Sequence, residues 1–160
     1  MAAASTSTEL YPIVGFYFTI SFSNISSEVD SKFKEVSGIS MELKVEPVNP
    51  GGDNGYEISL PEKTKFSDLT LKRGLVSSSS ALTEWCYSWL LNDYSKKIEK
   101  KDVFLKLLNP SGTPLLVWQF VDAFPVKLEI NSFNSMASGD SAILMETIVL
   151  RYSNIKIVKV

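Results

Sequence analysis

The residues able to do chemistry are few and poorly spaced for it. The 160-residue chain contains no histidine, which removes the usual general base, the commonest metal ligand and the partner of a serine or cysteine nucleophile. Its single cysteine, Cys86, can form neither an intrachain disulfide nor a cysteine-rich zinc site. Cys86 also falls on an apolar stripe, where a small hydrophobe is the natural reading. The run Ser77 to Ser80 lacks the Gly-x-Ser-x-Gly surround of a nucleophile elbow and suits a helix N-cap better. Carboxylates are scattered, with no Asp/Glu pair to set across a sugar bond, so solvated faces account for them. The stretch GGDNGYE at 51–57 has the oxygen density of a calcium loop without its alternating ligands or closing bidentate Glu. Trp85, Trp89 and Trp118 could stack on a sugar, yet the first two share a stripe with Leu82 and Leu90, which favours core. Lys96, Lys97, Lys100 and Lys101 are diluted by Glu99 and Asp102 and read as a solvated turn. No catalytic residue, metal site or cofactor emerges, and an enzyme is not expected.

Composition narrows the choice further. Sixteen Lys and Arg against eighteen Asp and Glu give a net charge of −2, without the basic field that duplex nucleic acid requires. Apolar residues make up 44% and aromatics 11%, enough for a core in one domain of this length. The first residues carry no basic region followed by an apolar one, and no run approaches eighteen apolar residues. The expectation is synthesis in the cytoplasm without a signal peptide, and no membrane span.

The elements that would position any site are mostly strands. Residues 1–10 read as a flexible arm and 11–160 as a single domain. Phe16, Phe18, Ile20 and Phe22 share one face of a strand, and Ile39, Met41, Leu43 and Val45 alternate with Ser40, Glu42, Lys44 and Glu46 in what reads as a half-buried one. From 47 to 66, three prolines and three glycines surround a short alternation of Tyr56, Ile58 and Leu60; this predicts a long excursion, too short in apolar residues to close a core of its own. A strand over 68–76 precedes the one convincing helix, whose stripe is Leu82, Trp85, Cys86, Trp89 and Leu90. Strands follow over 103–108, 115–121, 126–130, 142–152 and 155–160. About eight strands and one helix predict a mainly β fold, an antiparallel sandwich or partly closed barrel with the helix over one open side. Long alternating strands with few edge prolines leave unpaired edges, and pairing with further copies is one way to remove them. The alternative is a small β-sandwich binding module for a carbohydrate or small ligand, which would need an exposed aromatic platform or a cavity.

In this order the segments resemble the inner tube proteins of contractile injection systems, the family that includes contractile phage tail tubes and the tubes of extracellular injection particles. The stretches that carry the resemblance are Phe33 to Gly38; Leu60 to Gly74, with its Leu-Thr-Leu-Lys-Arg-Gly core; the Trp-containing helix; and Val103 through Trp118 to Pro125, continued by Glu146 to Leu150. The arm before Tyr11 and the Gly-rich stretch at 51–55 depart from the pattern. The resemblance implies a structural subunit that forms hexameric rings with a continuous inner β-barrel. These rings would stack into a conduit for DNA or protein cargo, driven through a target envelope by sheath contraction. It implies as partners the chain itself, a sheath protein, baseplate tube-initiator and tube-terminating cap proteins, and a tape-measure and cargo in the lumen. The location it implies is a phage tail or an extracellular or membrane-docked particle. An extended hairpin would make the inter-ring contact, here through Asp53, Tyr56, Glu57, Ile58, Leu60, Glu62, Lys63 and Lys65, while Ser40, Glu42, Lys44 and Glu46 are the lumen candidates.

Overall fold

Apolar alternation sets most of the strands. On β5 (Leu69–Gly74) Leu69 and Leu71 point inward, on β8 (Met145–Arg151) Ile148 and Leu150 do, and on β1 (Phe18–Phe22) Ile20 and Phe22 do. The computed structural model describes residues 13–15, 17–26, 29–52, 55–76, 80–92, 95 and 97–160. The expected arm at 1–10, together with Phe16 and Asp53, lies outside these residues. The other strands are β2 (Glu35–Ser37), β3 (Met41–Val48), β4 (Ile58–Phe66), β6 (Lys101–Leu108), β7 (Pro114–Ile130) and β9 (Asn154–Val158). The helix α1 runs Ala81–Leu90, and short 3-10 turns occupy Val29–Ser31 and Gly139–Ala142.

Two antiparallel sheets share one long bent strand. The first half of β7 pairs with β6, which pairs with β1, while β9 lies along its other edge. The second half of β7, Phe124 to Ile130, pairs with β8, then β5, then β2. The bend sits at Asp122, whose φ of 53° accompanies a slip in the β6–β7 register. Asp102 holds it: its carboxylate accepts from the Asp122 amide at 3.0 Å and from the Gln119 side chain at 2.9 Å. Between the sheets lie Ile20, Phe22, Leu69, Leu71, Val103, Leu105, Phe120, Ile148 and Leu150. The helix covers an open side against β7; Ser80 caps it by accepting from the Thr83 amide, satisfying one orphan donor of the first turn.

The sequence expectations need four corrections. Nine strands are present among the described residues, not about eight: β2, too short to carry a period, and β4 are added, while two expected strands merge into β7. Residues 115–121 and 126–130 belong to one strand across Pro125, which is tolerated because its edge away from β8 is unpaired and the register slips beside it. The strand at 41–48 is exposed throughout rather than half-buried, and it pairs with 58–66, so the extended hairpin expected over 47–66 starts at residue 41. Of the helical stripe, Leu82, Trp85 and Cys86 are buried, whereas Trp89 and Leu90 are only half-buried, since α1 lies at the rim of the sandwich.

Candidate assembly site

The hairpin β3–β4 is the least self-sufficient part of the chain. At its root Gly38 has φ +88°, and a Cβ there would come within 2.1 Å of the Asp68 carbonyl oxygen, so glycine is required. Ser67 ties the crossing by donating from its hydroxyl to the Gly38 carbonyl at 3.0 Å and from its amide to Ser40 at 3.3 Å. Phe66 anchors the base, its ring centroid 5.9 Å from that of Tyr152. Beyond Phe66 none of the described residues covers it. Register places Met41, Leu43, Val45 and Pro61 on the face that Phe66 shares, and Glu42, Glu46, Leu60, Val48, Ile58 and Lys65 on the other. Met41, Leu43, Val45, Tyr56, Ile58 and Leu60 are all exposed, although burying such a side chain is worth about 1.5–3 kcal/mol. An isolated two-stranded ribbon is marginal in water, so contacts beyond those among the described residues are needed to stabilise it.

Every described inter-ring candidate, Tyr56, Glu57, Ile58, Leu60, Glu62, Lys63 and Lys65, lies exposed on β4 or just before it. The lumen candidates Glu42, Lys44 and Glu46 lie on β3 with Ser40 just before it, all exposed, and Glu42 stands opposite Lys65 in the ladder. The structure therefore brings two sets of residues, predicted as separate sites, onto one hairpin. Unpaired backbone completes the picture. Among the described residues β1, β2 and β9 each pair along one edge only, and so does the second half of β7.

A buried ionic cluster is absent from the sequence reading, which placed the carboxylates on solvated faces; Asp30 and Glu146 contradict it. Arg73 donates from Nε to Glu146 Oε2 at 2.8 Å, from one Nη to Asp30 Oδ1 at 2.9 Å, and from the other to Ser80 Oγ at 3.0 Å and Thr83 Oγ1 at 2.8 Å. All three charged side chains are 1–2% exposed, and the Ser80 hydroxyl also bonds Asp30. The cluster thus ties β5, β8, the turn at 29–31 and the first turn of α1 together. Burial alone would raise the Asp30 carboxyl, but the Ser80 hydroxyl and the Arg73 guanidinium overcome it and hold the group below the usual carboxylate range. A parity signal for two of the three was present: Arg73 continues the inward series of Leu69 and Leu71, and Glu146 precedes Ile148 and Leu150 at the same period. Cys86 is inert by the same physics, its thiol pushed up to about 12 chiefly by burial. The tryptophans form no platform: the Trp85 and Trp89 indoles both donate to the Glu99 carbonyl, Trp89 stacks on Phe124 with centroids 5.2 Å apart, and Trp118 packs against the core.

A bent two-sheet sandwich with unpaired edges and an uncovered hairpin defines a self-assembling structural subunit rather than a ligand-binding module. More particularly, the chain belongs to the T4-like virus tail tube protein gp19 family, whose sequence model matches residues 14–156. A search of the curated proteins finds no match. Among solved structures, the chain is similar to one in the sheath–tube complex of the extracellular contractile injection system PVC in its extended state. The identity there is 25%, the TM-score 0.77, and all of both chains is covered. It is also similar to a chain of the baseplate of the anti-feeding prophage, at 23% identity and TM-score 0.75, over 93% of this chain and 97% of that one. At fold level it is similar to Hcp1 from Flavobacterium johnsoniae, at 20% identity and TM-score 0.52, over 89% of this chain and 94% of that one. The protein is a structural tube subunit, a component of a phage tail or extracellular injection particle. Among the described residues no helix is long and apolar enough to cross a membrane.

Proposed function

We propose that six copies close into a ring, that rings stack through the β3–β4 hairpin, and that the resulting tube is a conduit for DNA or protein cargo driven through an envelope by a contracting sheath. The observation that carries this reading is the hairpin: eight- and nine-residue strands, anchored by Phe66 and otherwise exposed, with apolar groups that none of the described residues covers. Ring closure would pair the free sheet edges, removing the aggregation hazard they pose to a monomer.

The lumen wall in this proposal is polar on its sheet part and mixed on its hairpin part. The hairpin face that contributes Glu42, Lys44 and Glu46, with Ser40 at its root, also carries Val48, Ile58 and Leu60. The outer face of the β2–β5–β8–β7 sheet contributes charges that are already paired: Lys72 with Glu35 at 3.3 Å, Lys127 with Glu129 at 2.6 Å and Arg151 with Asp68 at 3.0 Å. No exposed large apolar side chain lies on these four strand segments, so along the sheet a cargo chain would meet a wall without adhesive patches. A sheath protein, a baseplate tube-initiator, a terminating cap and a tape-measure complete the assembly as partners.

The experiment is to image purified protein by electron microscopy beside light scattering, together with a variant in which residues 49–57 are replaced by a short Gly-Ser linker. We expect six-fold rings and tubes from the native chain. The variant should keep a native circular dichroism spectrum and form rings without tubes. A monomer at about 100 μM with no rings in the micrographs would refute the assembly, since a closed ring should bury well over ~1,000 Å² per contact.

A further inference from the structure

We infer that the end of the β2–β5–β8–β7 sheet opposite the hairpin, built around the loop 131–144, is the seat that receives the hairpin of a second copy. The inference rests on the tube reading and names the receiving surface for it. The hairpin springs from the sheet where Leu69 stands opposite Leu150; at the other end Gly74 stands opposite Met145, and the loop joins β7 to β8 there. Hairpin and loop therefore lie at the two ends of one sheet.

The loop carries apolar groups that its own chain leaves bare. Phe133 is 78% exposed and Met136 90%, with Ile143 at 54%. Leu75, also exposed, lies beside them, its amide donating to the Leu144 carbonyl at 2.8 Å. These side chains sit on a loop fastened by its own hydrogen bonds. Asn131 donates to the Ile143 carbonyl at 3.2 Å and accepts from the Met145 amide at 2.9 Å, and the Asn134 side chain accepts from the Met136 amide at 3.0 Å. Ordering cost is thus largely met before binding, as a docking surface requires. A cavity of about 330 Å³ opens between the limbs of the loop, lined by Phe133, Asn134, Ser141 and Leu144 among others.

Three features select the hairpin of a second copy as the occupant. The hairpin presents a large exposed apolar surface, with Tyr56, Ile58 and Leu60 near its tip. Its charges can pair with those of the seat: Glu42, Glu46, Asp53, Glu57 and Glu62 supply acids for exposed Lys34 at the receiving end of β2, whose amide bonds the Lys72 carbonyl, and Lys44, Lys63 and Lys65 supply cations for Asp140, the one charged residue of the loop. Its length also fits. An eight-residue strand spans about 26 Å at ~3.3 Å per residue, longer than the six-residue β5, so the hairpin can cross to the next subunit's near end. Such a contact is head-to-tail, using different patches on the two copies, and therefore propagates as an open stack instead of stopping at a dimer.

Two variants test it. Phe133→Ser with Met136→Ser removes only exposed groups, so the circular dichroism spectrum should be native and six-fold rings should form, with loss of all tubes longer than one ring. Tubes of native length from this variant would overturn the proposed seat while leaving the tube reading intact. The second variant places Tyr56→Cys and Phe133→Cys in one chain, where the buried Cys86 does not compete. Mild oxidation of its assemblies should give a ladder of covalent trimers, tetramers and higher species on a denaturing gel. Dimers alone, or no cross-link in well-formed tubes, would overturn the inference. A native chain that forms neither rings nor tubes would instead overturn the tube reading, and this inference with it.

Discussion

At the scale of residues, Arg73 does more than any other side chain to join the parts of the subunit. Its guanidinium meets Asp30, Glu146, and Ser80 and Thr83 from three separate segments, so its loss would leave two buried carboxylates without their cation. Arg73→Met should therefore cost about 3–5 kcal/mol of stability, the usual penalty for breaking a buried pair from one side; denaturant unfolding measures it, and a loss under about 1 kcal/mol would mean the cluster is incidental. The cluster also predicts acid sensitivity. Asp30 has a folded-state pKa below its unfolded value, so its contribution is present above the unfolded value near ~4 and lost as pH falls through the folded one. Asp30→Asn should be less stable than the native chain at pH 7 by about 1–3 kcal/mol, with the gap closing as pH falls below ~4. A gap that stays constant down to pH 3 would show that Asp30 stabilises by shape and not by charge. Sequence alone did not reveal this cluster, because its members come from segments far apart, and Asp30 sits in a turn with no period to mark it inward.

At the scale of elements, the strands were legible wherever one face was buried within the chain. β5, β8 and β1 show period two and are strands, and α1 follows from the spacing of Leu82, Trp85 and Cys86. The hairpin was misread for an instructive reason. Alternation of Met41, Leu43 and Val45 reports that a strand has two unlike faces, and says nothing about which molecule covers the apolar one. The same limit separated the lumen and inter-ring residues into two sites, since register between β3 and β4 is a tertiary fact. Gly38 is the hinge on which the hairpin's direction depends, and Gly38→Ala tests it. A methyl group at φ +88° would overlap the Asp68 carbonyl oxygen, so backbone must move at the junction of β2 and β3. We expect about 1–3 kcal/mol of destabilisation from the strained conformation, with a larger effect on tube yield than on ring yield. Unchanged melting and normal tubes would place the hairpin's orientation under the control of Phe66 and Ser67 instead.

At the scale of the whole molecule, a sandwich offers two outer faces, and only one can look into a channel. The faces differ in kind. On the β2–β5–β8–β7 side the charges are paired and no large apolar side chain is exposed. The β1–β6–β7–β9 side mixes Lys106 and Lys156 with exposed Leu115 and Val158. A conduit wall must release what it touches, which favours the first face, whereas exposed apolar groups and lysines suit contacts with surrounding proteins. Cysteine labelling on assembled tubes separates the two. Glu129→Cys and Glu42→Cys should react with a small maleimide and be protected from a bulky one that cannot enter the tube. Lys106→Cys, on the opposite face, should react with both. Because the only native cysteine is buried with its thiol pushed up to about 12, the signal belongs to the introduced residue. Disassembled subunits supply the control, since all three positions should then take the bulky reagent. Protection of Lys106→Cys with free labelling at Glu129→Cys would invert the subunit in the wall. The lumen would then be lined by the more apolar sheet, and its cargo would have to be one that tolerates, or uses, adhesive contact along the channel.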